Sequence, residues 1–282
     1  MGRPVMLVDN VFNPRIYGSH TIAASSTATG TNALNLSAGR RVGRINVGGW
    51  FASSLNTDAY VRSTFDRPRA FDMLFIDRGH NLAGESVSVL ISDDAFTTYE
   101  TVGPLTVPSN PTPYSALYDD QIIMTDEGAL IWWLGLRAGY AVEVFVAAMG
   151  AGLRPELTGL MLGKSWSPAY AQIKPFDYGR HNVIRTITRS AHAQSVSADV
   201  GRFRQGTMRL RAESWEEYAT ARYPLEDLYL AGHAMVLMHS DEEAERAALV
   251  IAPAGQAGFE VPSGEYLPEI AIPFEETEPV IL

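Results

Sequence analysis

The chain of 282 residues contains no cysteine, which excludes disulfide bonds, thiol nucleophiles and thiolate metal sites. Basic residues are also few, since 22 Lys and Arg stand against 32 Asp and Glu, a formal charge of −10. A general nucleic-acid binder carries a basic face that offsets phosphate charge. The acidic balance therefore argues against nucleic acid as a partner, whereas the absence of cysteine does not identify a compartment.

Motifs that carry catalysis are missing as well. The sequence contains no Gly-x-Ser-x-Gly elbow, no phosphate-binding Gly-rich loop and no His-Glu-x-x-His, and its six histidines form no helical pair. The neighbours Asp93 and Asp94 fit acid/base or calcium chemistry, but their place at a predicted strand end favours a turn. We expect no catalytic residue, no cofactor and no metal site, and a chain that is not an enzyme. A hydrolase that uses dispersed carboxylates is the alternative.

Long uninterrupted apolar runs are absent. The longest apolar stretch, Ala129–Gly152, includes Arg137 and Glu143, which a bilayer would have to bury. We expect two core strands here and no membrane span, and the apolar run at the N-terminus is too short for a signal peptide.

The residues present favour a β fold. Alternating polar and apolar residues over Asp58–Phe65, Ala70–Asp77 and Ser86–Ile91 predict short strands. Gly, Asn, Asp and Ser separate these segments, and the proline-rich residues 104–114 predict an irregular loop. This spacing is typical of a sandwich or barrel and not of a βαβ unit.

A change in the residue pattern near Gly150 predicts two domains, 1–150 and 151–282. Small residues and a proline lie at Ala148–Pro155, a composition typical of a boundary. The second domain is expected to be β-rich with one inserted helix near 214–223, because Ser214-Trp-Glu-Glu217 has the pattern of a capping box.

Two consecutive segments carry a family resemblance. Ser63–Gly84, followed by Ser86–Tyr99, resembles the discoidin or galactose-binding-like jelly roll, in the variant found in minor tail proteins of tailed bacteriophages. In such a module Gly79 would relieve the turn after a buried strand, Asn81 would cap the connection, and Asp93 and Asp94 would close the next strand. The resemblance implies a mainly β chain with an N-terminal jelly-roll sandwich.

The second half resembles tail-tip or distal-tail components through Gly159–Pro168, Arg202–Arg204 and Met208–Tyr218. This resemblance implies a structural component of a phage tail, assembled in the host cytoplasm and located in the virion. It also implies that copies of the chain form an oligomeric ring beside neighbouring tail proteins.

A carbohydrate-binding module that recognises a cell-surface glycan is the alternative function, and the two roles are compatible in a tail tip. Trp50 and Tyr60 lie in a region rich in Gly, Asn and Ser, where exposed rings would stack on a sugar. Asp66, Arg67 and Arg69 are candidate polar contacts. Core packing of the aromatic rings, and salt bridges of the arginines within the sandwich, are the competing interpretations.

Overall fold

The structure is a computed structural model. It describes residues 3–13, 21–28, 41–42, 45–46, 50–113, 121–150, 152–167, 180–189, 195–211, 216, 227–229, 231–252, 269–276 and 280–281.

The described residues include eighteen β-strands, the 3-10 turn Ala244–Arg246, and helical backbone at Glu216 and at 227–229. The strands are β1 (Val5–Leu7), β2 (Thr21–Ala24), β3 (Arg41–Val42), β4 (Ile45–Asn46), β5 (Trp50–Phe51), β6 (Ala59–Ile76), β7 (Ser86–Ser92), β8 (Glu100–Thr106), β9 (Ile122–Met124), β10 (Leu130–Val146), β11 (Glu156–Leu157), β12 (Leu160–Gly163), β13 (Arg180–Arg189), β14 (Ser195–Arg211), β15 (Met235–Met238), β16 (Ala248–Ile251), β17 (Glu269–Glu276) and β18 (Val280–Ile281). The prediction of a mainly β chain is confirmed.

Sheet I is antiparallel and has the strand order β12-β6-β10-β7-β8, with β2 paired to β6 and β9 paired to β10. Its two longest strands, β6 and β10, run beside each other from Leu130 opposite Ile76 to Val146 opposite Ala59. The sequence predicted two strands for each of these segments. Each is one strand, because its halves stay in the same ladder across irregularities between Trp133 and Arg137 and between Gly139 and Ala141.

Sheet II has the order β1-β15-β16-β17-β14-β13, with β18 also paired to β14. Its first strand comes from the N-terminus, and β1 also contacts the chain that follows β12. Met6 and Trp166 exchange backbone hydrogen bonds of 2.9 and 2.8 Å, and the amide of Val11 donates to the Leu162 carbonyl at 2.7 Å. Two small antiparallel pairs, β5 with β11 and β3 with β4, complete the described sheets.

Both faces of sheet I are covered near β12. Leu74 and Ile76 of β6 enter an inner core that also contains Trp50 of β5, whereas Met73 and Phe75 enter a middle core on the opposite face. Side chains alternate across a strand, so one strand supplies both cores. This two-sided burial explains why Met73–Ile76 is continuously apolar.

Sheet II closes the middle core from the other side. Val236 and Met238 of β15 pack in the middle core, and Met235 and Leu237 of the same strand pack in an outer core with Phe274. Sheets I and II therefore pack face to face, with the middle core between them.

The predicted domain boundary at residue 150 stays a prediction, and strands pair across it. β12 follows that position and pairs with β6, while β1 precedes it and pairs with β15. The predicted helix near 214–223 lies outside the described residues except for Glu216. Within the part of the chain that the structure describes, no helix is long and apolar enough to cross a membrane.

Candidate functional site

Trp50 is placed in the core and not on the surface. Its side chain is 0% exposed, and its indole N–H donates to the Ser26 carbonyl at 2.9 Å. A ring buried on both faces has none to offer a sugar, so the expectation that Trp50 stacks on a ligand is wrong for this structure. The competing interpretation, core packing, describes it.

Asp66, Arg67 and Arg69 lie farther along β6, where its ladder with β10 is irregular. Arg69 Nη2 lies 3.7 Å from Asp66 Oδ1, so these two side chains form the salt bridge that was the competing interpretation. Arg67 is exposed. Tyr60 is six residues before Asp66, a separation of about 20 Å along an extended strand. The structure therefore does not gather the five predicted residues into one site.

Tyr60 belongs to a different group of side chains, on the face of sheet I opposite the inner core. We call this group the Arg62 cluster and define it as Tyr60, Arg62, Phe96, Tyr99 and Glu143. The guanidinium carbon of Arg62 lies 3.9 Å from the centroid of the Phe96 ring and 4.8 Å from that of Tyr60. Both distances are within the range of cation–π attraction.

Glu143 holds the other side of the Arg62 guanidinium. Arg62 Nε and Nη2 donate to the same carboxylate oxygen of Glu143 at 2.8 and 2.6 Å. The two residues are directly opposite in the β6–β10 ladder, which explains how positions 81 apart in sequence meet.

Burial sets the electrostatics of this pair. Glu143 is only 4% exposed, and burial raises the pKa of its carboxyl, whereas the hydrogen bonds and the charge of Arg62 oppose the rise. Arg62 is half-buried, with 30% of its side chain accessible. In this pair the Arg62 guanidinium is partly accessible to solvent with its charge neutralised, and the Glu143 carboxylate is buried beneath it.

A short loop after β7 carries the remaining aromatic rings. The Ser92 hydroxyl accepts from the amides of Asp94 and Phe96 at 3.2 and 2.8 Å, and it donates to Asp94 Oδ1 at 2.9 Å. Asp94 accepts from the amide and the hydroxyl of Thr98 at 2.8 and 2.7 Å. Hydrogen bonds from Thr98, the backbone one first, hold the pKa of Asp94 below its usual value. The turn interpretation of Asp94 is confirmed.

The backbone of this loop is unusual at two positions. Ala95 and Phe96 have φ of 57° and 70°, a left-handed conformation that side chains rarely adopt. The hydrogen bonds of Ser92 and Asp94 hold the loop in this form, and the consequence is that the Phe96 ring covers Arg62. Tyr99 follows with its ring centroid 6.4 Å from that of Phe96 and remains 58% exposed.

Tyr60 was predicted from the sequence as a site residue, whereas the other members of the Arg62 cluster were not. Phe96 and Tyr99 lie inside the Ser86–Tyr99 segment of the resemblance, but neither ring was assigned a role, and β8 begins only at Glu100. The consecutive residues Asp93 to Thr98, all small or polar except Phe96, were the available signal for a turn that presents an aromatic ring. Among the described side chains, no group of three or more His, Asp or Glu is arranged to hold a metal ion.

No protein-family model matches the sequence, and no curated protein matches it. Among solved structures, the chain is similar to chitosan-binding module 1 of a chitosanase/glucanase from Paenibacillus sp. IK-5, with 15% identity over 54% of this chain and 97% of that module and a TM-score of 0.38. It is also similar to CpGH89CBM32-5 from Clostridium perfringens, solved in complex with GalNAc-β-1,3-galactose, with 12% identity over 52% of this chain and 96% of that one and a TM-score of 0.37.

A third similar structure is a GH29 fucosidase from Ruminococcus gnavus in complex with fucose, with 11% identity over 56% of this chain but 27% of that enzyme and a TM-score of 0.40. Structural neighbours of the chain thus include carbohydrate-binding modules, and the likeness extends over about half of it. At such low identities and TM-scores, no ligand or site residue passes from them to this chain. None of the three is a tail protein, so the resemblance to phage tail proteins stays a prediction.

Proposed function

We propose that the chain is a non-catalytic glycan-binding protein and that the Arg62 cluster is its saccharide site. The observation that carries this proposal is a pair of aromatic rings, Phe96 and Tyr99, presented by a hydrogen-bonded loop beside the Arg62–Glu143 ion pair. The rings supply an apolar contact surface, and the ion pair and loop supply polar groups around it.

Tyr99 is the residue we expect to stack on the sugar. Its side chain is 58% exposed, whereas Phe96 is half-buried against Arg62. One face of a pyranose ring presents C–H groups, and an exposed aromatic ring covers such a face at a low cost in conformational entropy. A few fixed polar groups at the edge of the ring then determine orientation.

The charge of the site favours a neutral saccharide over an acidic one. Glu143 neutralises Arg62, and the exposed carboxylates Asp93 and Asp94 lie on the loop that carries the rings. An anionic sugar would meet these carboxylates without an uncompensated cation among the cluster residues, so its binding would be opposed electrostatically.

The loop is suited to binding because it is held in place before the ligand arrives. Five hydrogen bonds join Ser92, Asp94, Phe96 and Thr98. A contact surface that is ordered before binding loses less conformational entropy on association. The hydrogen bonds that keep Phe96 in its left-handed conformation provide such order.

A glycan array with the purified chain, followed by calorimetry on the best neutral ligand, tests the proposal. Tyr99→Ala is expected to weaken binding at least about tenfold, as loss of a central stacking ring does. Tyr140→Ala is the matched control, because Tyr140 is a tyrosine of sheet I that is 40% exposed and lies outside the Arg62 cluster.

Absence of binding to any glycan by the folded protein would contradict the proposal. Equal losses for Tyr99→Ala and Tyr140→Ala would place the site elsewhere. The role of a phage tail component rests on the sequence resemblance alone and stays a prediction. It is compatible with this proposal, because a tail component that recognises a host surface would also bind glycans.

A further inference from the structure

His80 lies where two turns of sheet I meet. It belongs to the turn between β6 and β7, residues 77–85, and its Nε2 lies 3.0 Å from the carbonyl oxygen of Gly128 in the turn between β9 and β10. Its other ring nitrogen, Nδ1, lies 3.1 Å from the backbone nitrogen of Leu82. One side chain thus connects two turns whose contact residues are 48 positions apart in the sequence.

The partners of the ring determine its protonation state. A carbonyl oxygen only accepts, so Nε2 carries a proton and donates to Gly128. A backbone N–H only donates, so Nδ1 is unprotonated and accepts from Leu82. A proton added at Nδ1 would point at the Leu82 N–H, so the imidazolium cannot keep both contacts.

The surroundings of the ring oppose a positive charge on it. Burial lowers the pKa of His80 below its usual value of 6.5, and the hydrogen bond to the Gly128 carbonyl offsets this effect only in part. The charged side chains on its own turn, on the β9–β10 turn and on the segment that bonds Asn81 are Asp77, Arg78, Glu85, Asp126, Glu127, Arg154 and Glu156. Arg78 pairs with Glu127 at 2.6 Å, and Arg154 pairs with Glu156 at 3.7 Å. These pairs compensate two of the carboxylates nearest to the turn, so they do not favour the imidazolium.

Leu82 anchors this turn in the inner core. Its side chain is 0% exposed and packs in that core. Its carbonyl accepts from the amide of Glu85 at 2.9 Å, and its amide depends on His80 for an acceptor. A buried amide that loses its acceptor is costly, so the ionisation of His80 is coupled to the placement of Leu82.

We propose that His80, Leu82 and Gly128 form an acid-sensitive latch, which opens when His80 takes up a proton and releases the Leu82 end of the β6–β7 turn. The latch is closed at neutral pH, where the ring both donates and accepts. The ion pair of Arg78 with Glu127 still joins the two turns in acid, so the opening is confined to residues 80–82. The proposal does not depend on the proposed glycan binding, because the Arg62 cluster includes no residue of either turn.

Linkage determines the sign of the effect on stability. The unfolded chain binds more protons at His80 than the folded one, so its contribution is fully present above pH 6.5 and is lost as the pH falls through the lowered pKa. Asp72 and Glu143 act in the opposite direction, because burial raises the pKa of both carboxyls. The measurement therefore has to be local to the latch.

NMR of the full chain tests the proposal with two readouts from the same samples. The His80 ring should titrate below 6.5, with the proton of its neutral form on Nε2. Protection of the Leu82 amide from hydrogen exchange should fall at least about fivefold between pH 7.5 and pH 4.5, the factor expected for the loss of one hydrogen bond. This loss of protection should follow the ring titration.

His80→Asn separates the charge of the ring from other effects of acid. The asparagine Oδ1 accepts from the Leu82 amide but does not titrate, so protection of that amide should be independent of pH. His233→Asn is the matched control, because His233 also places Nδ1 beside a nitrogen, 3.0 Å from Asn13 Nδ2, but lies outside the latch. It should leave the pH dependence at Leu82 unchanged.

Four outcomes would overturn the proposal. A ring that titrates at or above 6.5 would mean that the site tolerates the imidazolium. Constant protection of Leu82 while His80 titrates would mean that the contacts survive protonation. A parallel loss of protection in every strand would mean that acid unfolds the whole chain. A loss at Leu82 that persists in folded His80→Asn would assign the effect to another group.

Discussion

Replacing Arg62 with methionine removes the counterion of a buried carboxylate while keeping most of the apolar stem beside Phe96. In the native protein Arg62 donates twice to Glu143, at 2.8 and 2.6 Å, and the carboxylate side chain is 5% exposed. Without the guanidinium, Glu143 must either stay ionised in a poorly hydrated site or take up a proton.

Protonation limits how large the penalty becomes. The pKa of glutamate is 4.5 in the unfolded chain, so protonating it at pH 7 costs about 3.4 kcal/mol, from about 1.4 kcal/mol per pH unit. Burial already raises the Glu143 pKa in the native protein, so part of this cost is present before the substitution. Loss of the cation–π contacts adds about 0.5–1 kcal/mol at any pH. We expect Arg62→Met to lower the free energy of unfolding by about 2–3 kcal/mol at pH 7.

The dependence on pH separates the two contributions. A carboxyl whose pKa is raised in the folded state binds more protons there than in the unfolded chain, so stability falls as pH rises above 4.5. Arg62→Met raises that pKa further and steepens the fall. Its destabilisation should therefore shrink to about 0.5–1 kcal/mol, the cation–π contribution, near pH 4.5.

Urea denaturation of both proteins at pH 7 and pH 4.5, with unchanged m-values, measures the effect. The slope with pH should disappear when Arg62→Met is made in a Glu143→Gln background. Arg246→Met is a control, because Arg246 pairs with Glu243 at 3.1 Å with both side chains at least a third exposed, and such surface pairs contribute about 0–1 kcal/mol. Equal destabilisation at the two pH values would refute the view that Arg62 is the counterion of Glu143.

Three further predictions concern the packing of β12, the inner core and the loop after β7. Gly163→Ala would place a Cβ against the backbone carbonyl of Asp9, so we expect it to lower the free energy of unfolding by about 3 kcal/mol, measured by urea denaturation. Gly150→Ala is the control, because Gly150 has open space around it and the substitution should leave stability nearly unchanged. Trp50→Phe removes the indole donor to a backbone carbonyl and should cost about 1–3 kcal/mol, with a Tm decrease that calorimetry would detect. Because hydrogen bonds lower the pKa of Asp94, an NMR titration should find that its carboxyl titrates below 3.8. The loop amides should lose their protection from hydrogen exchange only as the pH falls through that lowered pKa. Loss of this protection already at pH 5 would contradict the prediction.

Strands in which polar and apolar residues alternate were the easiest features to predict. Ser86–Ile91 was predicted as a strand and β7 is Ser86–Ser92, because serine and valine alternate at its start, although Ser88 and Ser92 are themselves buried. The left-handed φ of 89° at Gly79 agrees with the turn assigned to it. Asn81 was expected to cap its own connection, but its side chain bonds the segment after residue 150, with Nδ2 donating to the Arg154 carbonyl at 2.9 Å.

Pairing between strands that are far apart in the sequence could not be predicted from local residue patterns. The N-terminal residues Val5–Leu7 read only as a short apolar run, and their partner Met235–Met238 is more than 200 residues away. The composition of a strand does not indicate which distant strand it pairs with. For the same reason Arg62 and Glu143 could not be paired from sequence, since their meeting depends on the register of β6 against β10.

Aromatic residues show why composition alone misplaces a binding surface. Trp50 follows two glycines, and after Phe51 the chain continues as Ala-Ser-Ser, a context that suggests a loop. Yet a large ring gains the most from burial, and pairing of β5 with β11 places Trp50 in the inner core with its N–H satisfied. Tyr99 stays exposed because the loop before it is closed by Ser92 and Asp94 and turns through left-handed residues. An exposed ring is therefore better sought where the backbone is held by polar side chains than where small residues merely accumulate.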